Sequence, residues 1–327
     1  MKIGRAAGLT LRFAVLAGLL AAAWIYRGGV GDVARALDTG GWAALAAVCA
    51  WHLTALFVCA MAEWSLSPDN RTTGLWPFLV TRWVHEAVGE LTGFIPLSGE
   101  VAAGRALMRQ GVAATKAAAL TVVDLTCEAL GQFVFTMIGI ALWLTYRPAG
   151  AVGHWALIGL GISAPLLIAL LLVQRSPLVR FIETLPARMM PKTWTAPEEE
   201  QGTLAIIHAL YANRPRIAIG TALHLGAWLI ATGEAALALM LLGHPLALVD
   251  VVAMEAFIMA LRSAAIIVPA GLGVQEAAYV VIGGLLGLPP EVALALSVLK
   301  RGRELLYGVP GLIAWQAIEG RRKKAAA

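Results

Sequence analysis

Long apolar runs separated by short polar stretches fill most of the chain. Several of these runs approach the length of about 20 residues that a helix needs to cross a bilayer. They predict full membrane spans at residues 9–26, 41–64, 117–146, 154–173, 217–242 and 291–318. The pattern therefore predicts an all-α polytopic membrane protein, with a single transmembrane domain over residues 1–327.

Two further apolar stretches, Gly93–Glu100 and Ile266–Glu276, are interrupted by proline and glycine. A straight helix tolerates these residues badly, and broken backbone at membrane depth must be buried in protein or line a wet cavity. We expect each stretch to form a re-entrant helical hairpin, which enters and leaves on the same side. Eight full spans would place both termini on one side equally well, so both arrangements stay open. The break residues are Pro96, Gly99, Pro269, Gly271 and Gly273.

The two hairpins suggest an internal repeat with halves at residues 1–174 and 217–320 and a cytoplasmic linker at 175–216. The first hairpin would enter from the cytoplasm and the second from the outside. That is the plan of an inverted repeat, whose broken helices meet near the middle of the membrane. The alternative is two kinks that arose independently, because glycine and proline are common in membrane helices.

Composition supports a membrane protein, since 59% of the residues are hydrophobic and 14% are charged, against about a quarter charged in soluble domains. The net charge of +5 comes from basic residues at both termini, at 105–116 and in the linker. The positive-inside rule predicts that all these places are cytoplasmic, so we expect no nucleic-acid partner. The three cysteines lie in apolar runs without metal-binding spacing, and we expect no metal and no cofactor.

Ionisable residues inside the predicted spans are the first candidates for a functional site, because they are costly there. Asp124 and Glu128 lie four residues apart and share a helix face, either lining a cavity or facing the cytoplasm at the helix end. In the last span, Lys300, Arg303 and Glu304 share one face, and Arg301 is predicted to point away from it. A broken helix with this cluster in a cytoplasmic turn is the alternative.

The residues around the two breaks are the second group of candidates. Arg262 lies just before the second break, where a guanidinium beside loose backbone amides suits a phosphate or a carboxylate. The alternative is an ion pair of Arg262 with Glu255 or Glu276 that closes the hairpin. The remaining candidates for substrate binding, near the first break, are Glu90, Glu100 and Arg105.

The same stretches carry a family resemblance. Residues 90–100 (ELTGFIPLSGE) and 268–276 (VPAGLGVQE) resemble the transmembrane region of the lysylphosphatidylglycerol synthase/flippase family. Many members have a longer glycine-rich stretch where this chain has Leu-Ser-Gly-Glu at residues 97–100. The later motifs GLPPE at 287–291, LKRGR at 299–303 and PGLIAWQ at 310–316 resemble its hopanoid-biosynthesis-associated branch.

This resemblance implies that the protein moves a lipid between the leaflets of the bacterial inner membrane through a cavity between two hairpins. The hopanoid branch implies a hopanoid or a related isoprenoid or phospholipid as cargo, and hopanoid-synthesis enzymes as partners. Members fused to an aminoacyl-transfer domain modify headgroups, and this chain lacks that domain, so we expect no enzymatic activity.

The leading hypothesis is thus a lipid flippase. Arg262, Lys300 and Arg303 would hold the headgroup, and an acidic set would balance their charge, bind a cationic group or carry a coupling proton. That acidic set is Asp124, Glu128 and Glu276. The alternatives are an integral membrane enzyme of hopanoid or polyprenyl lipid synthesis, with Glu100 or Asp124 as general base, and a scaffold for such enzymes.

Overall fold

The structure of the protein is a computed structural model that describes residue 38 and residues 41–91, 97–146, 202–264 and 273–325. The described residues form helices and contain no strand, as predicted. In the first described part the helices are α1 Gly41–Leu66, α2 Asn70–Thr73, α3 Trp76–Leu91, α4 Ser98–Arg109 and α5 Ala114–Tyr146. The later helices are α6 Thr203–Ala212, α7 Arg214–Leu241, α8 Leu248–Ala264, α9 Val274–Leu285 and α10 Pro290–Ala325.

Three of these helices, α1, α5 and α7, are long and apolar enough to cross a membrane. They confirm the predicted helices at 41–64, 117–146 and 217–242 to within a few residues. The predicted span at 291–318 is one continuous helix, α10, which passes through Lys300–Glu304 without a break. The predicted spans at 9–26 and 154–173 lie outside the described residues, so six spans with two hairpins stay a prediction.

Two pairs of short helices run antiparallel. In the first pair Gly99, at the start of α4, lies so close to the ring and carbonyl of His85 on α3 that a side chain would clash. At the other end of α4, Gln110 donates to the carbonyl of Pro77 over 3.1 Å. In the second pair Tyr279 of α9 bonds to Glu255 of α8.

Helices α4 and α9 each have 12 residues and are about 18 Å long. Neither can cross the roughly 30 Å of hydrocarbon in a bilayer on its own. Of the predicted break residues, Gly99 and Gly273 are described, and Pro96, Pro269 and Gly271 lie outside the described residues.

The two pairs share the same local structure. Corresponding residues of the two pairs lie 176 positions apart in the chain. Leu97 and Gly273 both precede a 12-residue helix with positive φ angles of 62° and 81°. Gly111 and Gly287 both turn the chain afterwards, with φ angles of 97° and 89°. The long helices α5 and α10 then begin at corresponding positions, Ala114 and Pro290.

The packing of the two groups of helices also corresponds. Helix α1 runs antiparallel to α7, since Leu66 lies against Gly220 while Trp51 lies against Gly233. Helix α3 packs on α10, and its counterpart α8 packs on α5. A two-fold relation between the halves would produce this arrangement, and the predicted inverted repeat is its simplest explanation.

The two ends of the bundle differ in charge. At one end, called here the basic end, Lys116 pairs with Asp69, Arg216 donates to the carbonyl of Ser67, and Arg105 and Arg109 bond to Glu319. The opposite end, called here the acidic end, contains Asp38, Asp250 in the first turn of α8 and Glu291 in the first turn of α10. That the basic end faces the cytoplasm stays a prediction.

Apolar cores lie toward both ends. Toward the acidic end, helices α7 to α10 bury large side chains such as Leu239, Met254, Ile258, Tyr279 and Leu296. Toward the basic end, α1 and α3 to α6 bury Leu66, Phe78, Leu107, Leu120 and Ile207. The ionisable residues of the helices lie mainly between these two cores.

The linker predicted at 175–216 is partly described. Residues 203–212 form the apolar helix α6, which packs on α5 through Ile207 and Leu210. Asn213 then caps α7 by accepting a hydrogen bond from the backbone of Arg216. The end of the predicted linker therefore forms a short helix whose side chains Leu204, Ile206, Ile207 and Leu210 pack on the apolar core toward the basic end. Residues 175–201 lie outside the described residues.

Candidate functional site

A cavity of about 350 Å³ lies between the two apolar cores, and it is called here the central cavity. Helices α1, α3, α5, α7, α8 and α10 all contribute to its wall. Phe135, Trp228 and Met259 line part of it. Its ionisable lining residues are His52, Arg82, His85, Glu86, Glu90, Glu128, Glu234, Glu255, Arg262, Lys300 and Arg303.

The depth of the cavity follows from the helix positions. Lys300 lies ten residues after Pro290, where α10 begins at the acidic end. Ten residues of helix rise about 15 Å, which is half of the roughly 30 Å hydrocarbon thickness. The charged wall of the cavity therefore lies about half of a hydrocarbon thickness along α10 from its start at the acidic end.

Arg82 of α3 organises the first part of the wall. Its two terminal nitrogens each donate to one oxygen of Glu128 over 2.9 Å, and its Nε donates to Glu86 over 3.0 Å. Glu86 in turn lies 2.9 Å from Nε2 of His52. A two-bonded guanidinium and carboxylate is the strongest form of ion pair, so Arg82 is held firmly.

His52 and Arg303 form the centre of the wall. Nδ1 of His52 lies 2.8 Å from a carboxylate oxygen of Glu234, which joins α1 to α7. Arg303 of α10 places its Nε 3.4 Å from Glu234 and its Nη2 3.5 Å from Glu90. One arginine thus faces carboxylates from α3 and α7, at distances that leave room for rearrangement.

Lys300 and Glu255 form a second tight pair in the wall. The ammonium of Lys300 donates to Glu255 over 2.5 Å, and the hydroxyl of Tyr279 donates to the other oxygen of Glu255 over 2.6 Å. All three side chains are buried. The pair joins α8, α9 and α10 beside the cavity.

The pairing of Arg262 differs from the prediction. Arg262 lies 3.6 Å from Glu304, and neither Glu255 nor Glu276 forms an ion pair with it among the described residues. Glu255 instead pairs with the ammonium of Lys300 on α10. The predicted ion pair of Arg262 with Glu255 or Glu276 is therefore wrong.

Arg301 is placed differently from its neighbours on α10. It does not line the central cavity, as Lys300 and Arg303 do, but it donates to Glu304 over 2.7 Å and to Glu276 over 3.2 Å and so belongs to the charged cluster. Glu276 also accepts a hydrogen bond from the backbone of Gly273 over 2.8 Å. This contact caps the start of α9 and fixes the chain directly after the second break.

A second, much smaller cavity of about 10 Å³ lies toward the basic end, and it is called here the small cavity. Asp124 lies 2.8 Å from Nε2 of His224, and His85 lies 3.6 Å from Glu100. The ligand atoms of Asp124, Glu128 and His224 come within 4.8 Å of one another. Both oxygens of Glu128 are taken by Arg82, whose charge opposes a metal ion there, so we assign none.

The predicted site residues thus divide into groups. The central cavity is lined by Glu90, Glu128, Glu255, Arg262, Lys300 and Arg303. The small cavity is lined by Glu100, Asp124 and Glu128. Glu276 and Glu304 contact Arg301, while Arg105 lies at the basic end, bonded to Glu319.

Sequence reasoning missed four buried ionisable residues of α1 and α7 that lie in or beside these cavities, namely His52, Glu63, His224 and Glu234. Each lies on α1 or α7, the two helices that pack most closely on one another. A signal was present, because an ionisable residue within an apolar span is costly unless it has a partner or a function. Each of these residues lies within an otherwise apolar stretch, so the overall pattern of the stretch indicated only a membrane span.

Comparison with known proteins gives one match. The sequence model of the family described as "Lysylphosphatidylglycerol synthase TM region" matches residues 9–311. No curated protein and no solved structure matches the chain.

Proposed function

Because the chain belongs to the lysylphosphatidylglycerol synthase TM region family, we propose that it moves a lipid between the leaflets of the bacterial inner membrane. The observation that carries this proposal is a cavity of about 350 Å³ whose charged wall lies about half of a hydrocarbon thickness along α10. Ionisable groups there mark the path of a polar substrate. A lipid that changes leaflets must carry its headgroup through this depth.

The pairing in the wall indicates which headgroup fits. The cations Arg82, Lys300 and Arg303 all face carboxylates, so the wall offers little uncompensated positive charge to an anion. A charge-balanced wall suits a polyol or a zwitterion, which both donates and accepts hydrogen bonds. The proposed hopanoid cargo, with a polyol headgroup, is compatible with this wall and rests on the family resemblance.

The size of the cavity limits what enters it. A volume of about 350 Å³ lies at the lower end of the roughly 300–1,000 Å³ that is usual for ligand-binding cavities. That is enough for a headgroup and too little for a complete lipid. The apolar part of the lipid would therefore stay in the bilayer while the headgroup passes between the helices.

The paired short helices provide a means of opening the path. The pair α3–α4 enters from the basic end and the pair α8–α9 from the acidic end, and each contributes a cation to the cavity, Arg82 and Arg262. In an inverted repeat, rocking of one half against the other exposes a central site to each side in turn. We infer that the two pairs are re-entrant hairpins that act as the two gates.

Liposomes containing the purified protein and a fluorescent lipid with a polyol headgroup test this function. We expect the lipid to reach the outer leaflet faster than in empty liposomes. Arg303→Gln should slow this movement by about tenfold or more, because it leaves buried carboxylates without a cation. Arg214→Gln, a matched change on an exposed residue at the start of α7, should leave the rate unchanged.

The outcomes separate the alternatives. An unchanged rate in folded Arg303→Gln would contradict the assignment of the cavity. A scaffold would be favoured by one combination of results for the cavity variants. They would fold and still support lipid synthesis in cells, while lipid in their liposomes would move as slowly as in empty liposomes.

An integral membrane enzyme is the second candidate, because His224 holds Asp124 over 2.8 Å in the way that a general base is oriented. This hypothesis predicts that deletion of the protein changes the mass of a membrane lipid. A deletion strain with unchanged lipid masses and an altered distribution between leaflets would favour the flippase. Mass spectrometry of extracted lipids, with leaflet-selective labelling of intact cells, measures both.

A further inference from the structure

Glu63 on α1 is a buried carboxyl group for which the described part of the chain supplies no ion pair. Its side chain is 4% exposed, and it forms no hydrogen bond or ion pair with any residue that the structure describes. It lines the small cavity. Burying a carboxylate without a counter-ion is far more costly than burying a neutral carboxyl group, so this residue needs a proton or a cation.

The groups around Glu63 do not supply the missing charge. The small cavity has four carboxyl groups and a single arginine in its wall. Arg82 already binds Glu128 with both terminal nitrogens, and His224 binds Asp124. The ionisable groups that face this region from the surrounding helices are Cys59 on α1, Arg82 and His85 on α3, Glu100 on α4, Asp124 and Glu128 on α5, and His224 on α7.

The residues 176 positions later in the chain show a different arrangement of charges, in which each ionisable group has a partner of opposite charge. Lys300 stands 176 residues after Asp124, where it neutralises Glu255. Glu304 and Glu276, the counterparts of Glu128 and Glu100, are both bonded to Arg301. The position that corresponds to Glu63 is Leu239, so the buried carboxyl group without an ion pair belongs to the first half alone among these corresponding positions.

We propose that Glu63, Asp124 and His224 form a proton-binding site that couples lipid movement to a proton gradient. This inference rests on the proposed function. The small cavity, at about 10 Å³, has room for about one water molecule, which suits a relay between the carboxyl groups. Arg82 in its wall disfavours a sodium ion. The carboxylate of Glu63 takes a proton from water on one side and returns it to water on the other, and no covalent bond of the lipid changes.

The geometry also provides the connection to the lipid. Arg82, His85 and Glu128 line both the small cavity and the central cavity. From Arg82 a chain of contacts runs through Glu86 and His52 to Glu234. A change of charge at Glu63 or Asp124 therefore acts on Arg82, and Arg82 acts on the wall around the headgroup.

The site itself is tested without transport. Infrared difference spectra of the purified protein at two pH values detect protonated carboxyl groups by their C=O stretching band. We expect this band in the unmodified protein and its reduction in Glu63→Gln, an isosteric change that mimics the protonated form. Glu291→Gln, at the exposed end of α10, should retain the full band. A full band in folded Glu63→Gln would overturn the proposal, and Asp124→Asn repeats the test if Glu63→Gln does not fold.

Coupling is tested in liposomes with an imposed pH gradient. The unmodified protein should accumulate the polyol-headgroup lipid in one leaflet, and reversal of the gradient should reverse the accumulation. Glu63→Gln should equilibrate the lipid without accumulating it. Accumulation that persists in Glu63→Gln, or that follows a sodium gradient in place of the pH gradient, overturns proton coupling. Lipid movement that does not depend on any gradient overturns the coupling alone. If the unmodified protein moves no lipid, the proposed function is contradicted, and the infrared test then decides whether the proton site exists.

Discussion

At the scale of single residues, the buried charges are stabilised by pairing across helices. Lys300 and Glu255, 45 positions apart in the chain, meet at 2.5 Å with Tyr279 beside them. Sequence reasoning predicted that both residues face the interior, because charged side chains in apolar spans have few other places to go. It could not predict the partners of Arg262 and Arg301, because these depend on how α8, α9 and α10 pack against one another.

Lys300→Met should destabilise the protein by about 3–5 kcal/mol, since it leaves Glu255 as an uncompensated buried charge. The double variant Lys300→Met/Glu255→Gln should recover most of this loss, because neither charge remains. Thermal unfolding in detergent, followed by circular dichroism, measures both effects.

The half-exposed pair of Lys116 and Asp69 at the basic end provides the control. Lys116→Met should change the free energy of unfolding by about 0–1 kcal/mol, as for other exposed pairs. Additive effects of Lys300→Met and Glu255→Gln, with no recovery in the double variant, would contradict the pairing.

At the scale of helices, apolar periodicity predicted the long elements and proline and glycine predicted the breaks. Helix α4 ends at Arg109 and α5 begins at Ala114, a division that apolar periodicity alone does not predict. The signal for this division was Gly111, whose φ of 97° requires a residue without a side chain. The two short helices were predictable in position, whereas their close packing depends on small residues whose neighbours the sequence does not reveal.

The packing of α5 on α8 depends on Gly139, where a Cβ atom would overlap the side chain of Ala256. Gly139→Ala should therefore lower the thermal stability and push the two helices apart, although alanine favours helix formation by about 1 kcal/mol. Gly226→Ala on α7 is the matched control, because no atom lies within 4 Å of the added group. The Gly226→Ala protein should unfold at the same temperature as the unmodified protein or at a higher one. A Gly139→Ala protein as stable as the unmodified protein would contradict the close contact of Gly139 with Ala256.

At the scale of the whole molecule, composition and apolar patterning predicted the all-helical membrane fold, and the resemblance of short motifs indicated the family. The relation between the halves was only suggested. The motifs of residues 96–100 and 269–276 are too dissimilar to establish a repeat. The backbone correspondence at 176 residues is much clearer, with matched turns at Gly111 and Gly287. Sequence comparison misses it because opposite charges occupy equivalent positions, as at Asp124 and Lys300.

An inverted repeat places the two matched turns on opposite sides of the membrane. In a protein whose native cysteines are replaced, Ala113→Cys and Pro290→Cys should react with a membrane-impermeant maleimide from opposite sides. Both positions are exposed, so a missing reaction is not caused by burial. Ala113→Cys should react only when the cytoplasmic face is accessible. Labelling of both cysteines from the same side would contradict the inverted arrangement.

The position of Arg82 in the walls of both cavities has a thermodynamic consequence. Two ligands that act on the same side chain from distinct sites influence one another reciprocally, and each changes the affinity for the other by the same factor. A headgroup that draws Arg82 away from Glu128 must strengthen proton binding as much as the proton strengthens headgroup binding. A tenfold effect in either direction corresponds to about 1.4 kcal/mol of coupling free energy. Lipid added to the detergent-purified protein at constant pH should therefore cause an uptake of protons from the buffer.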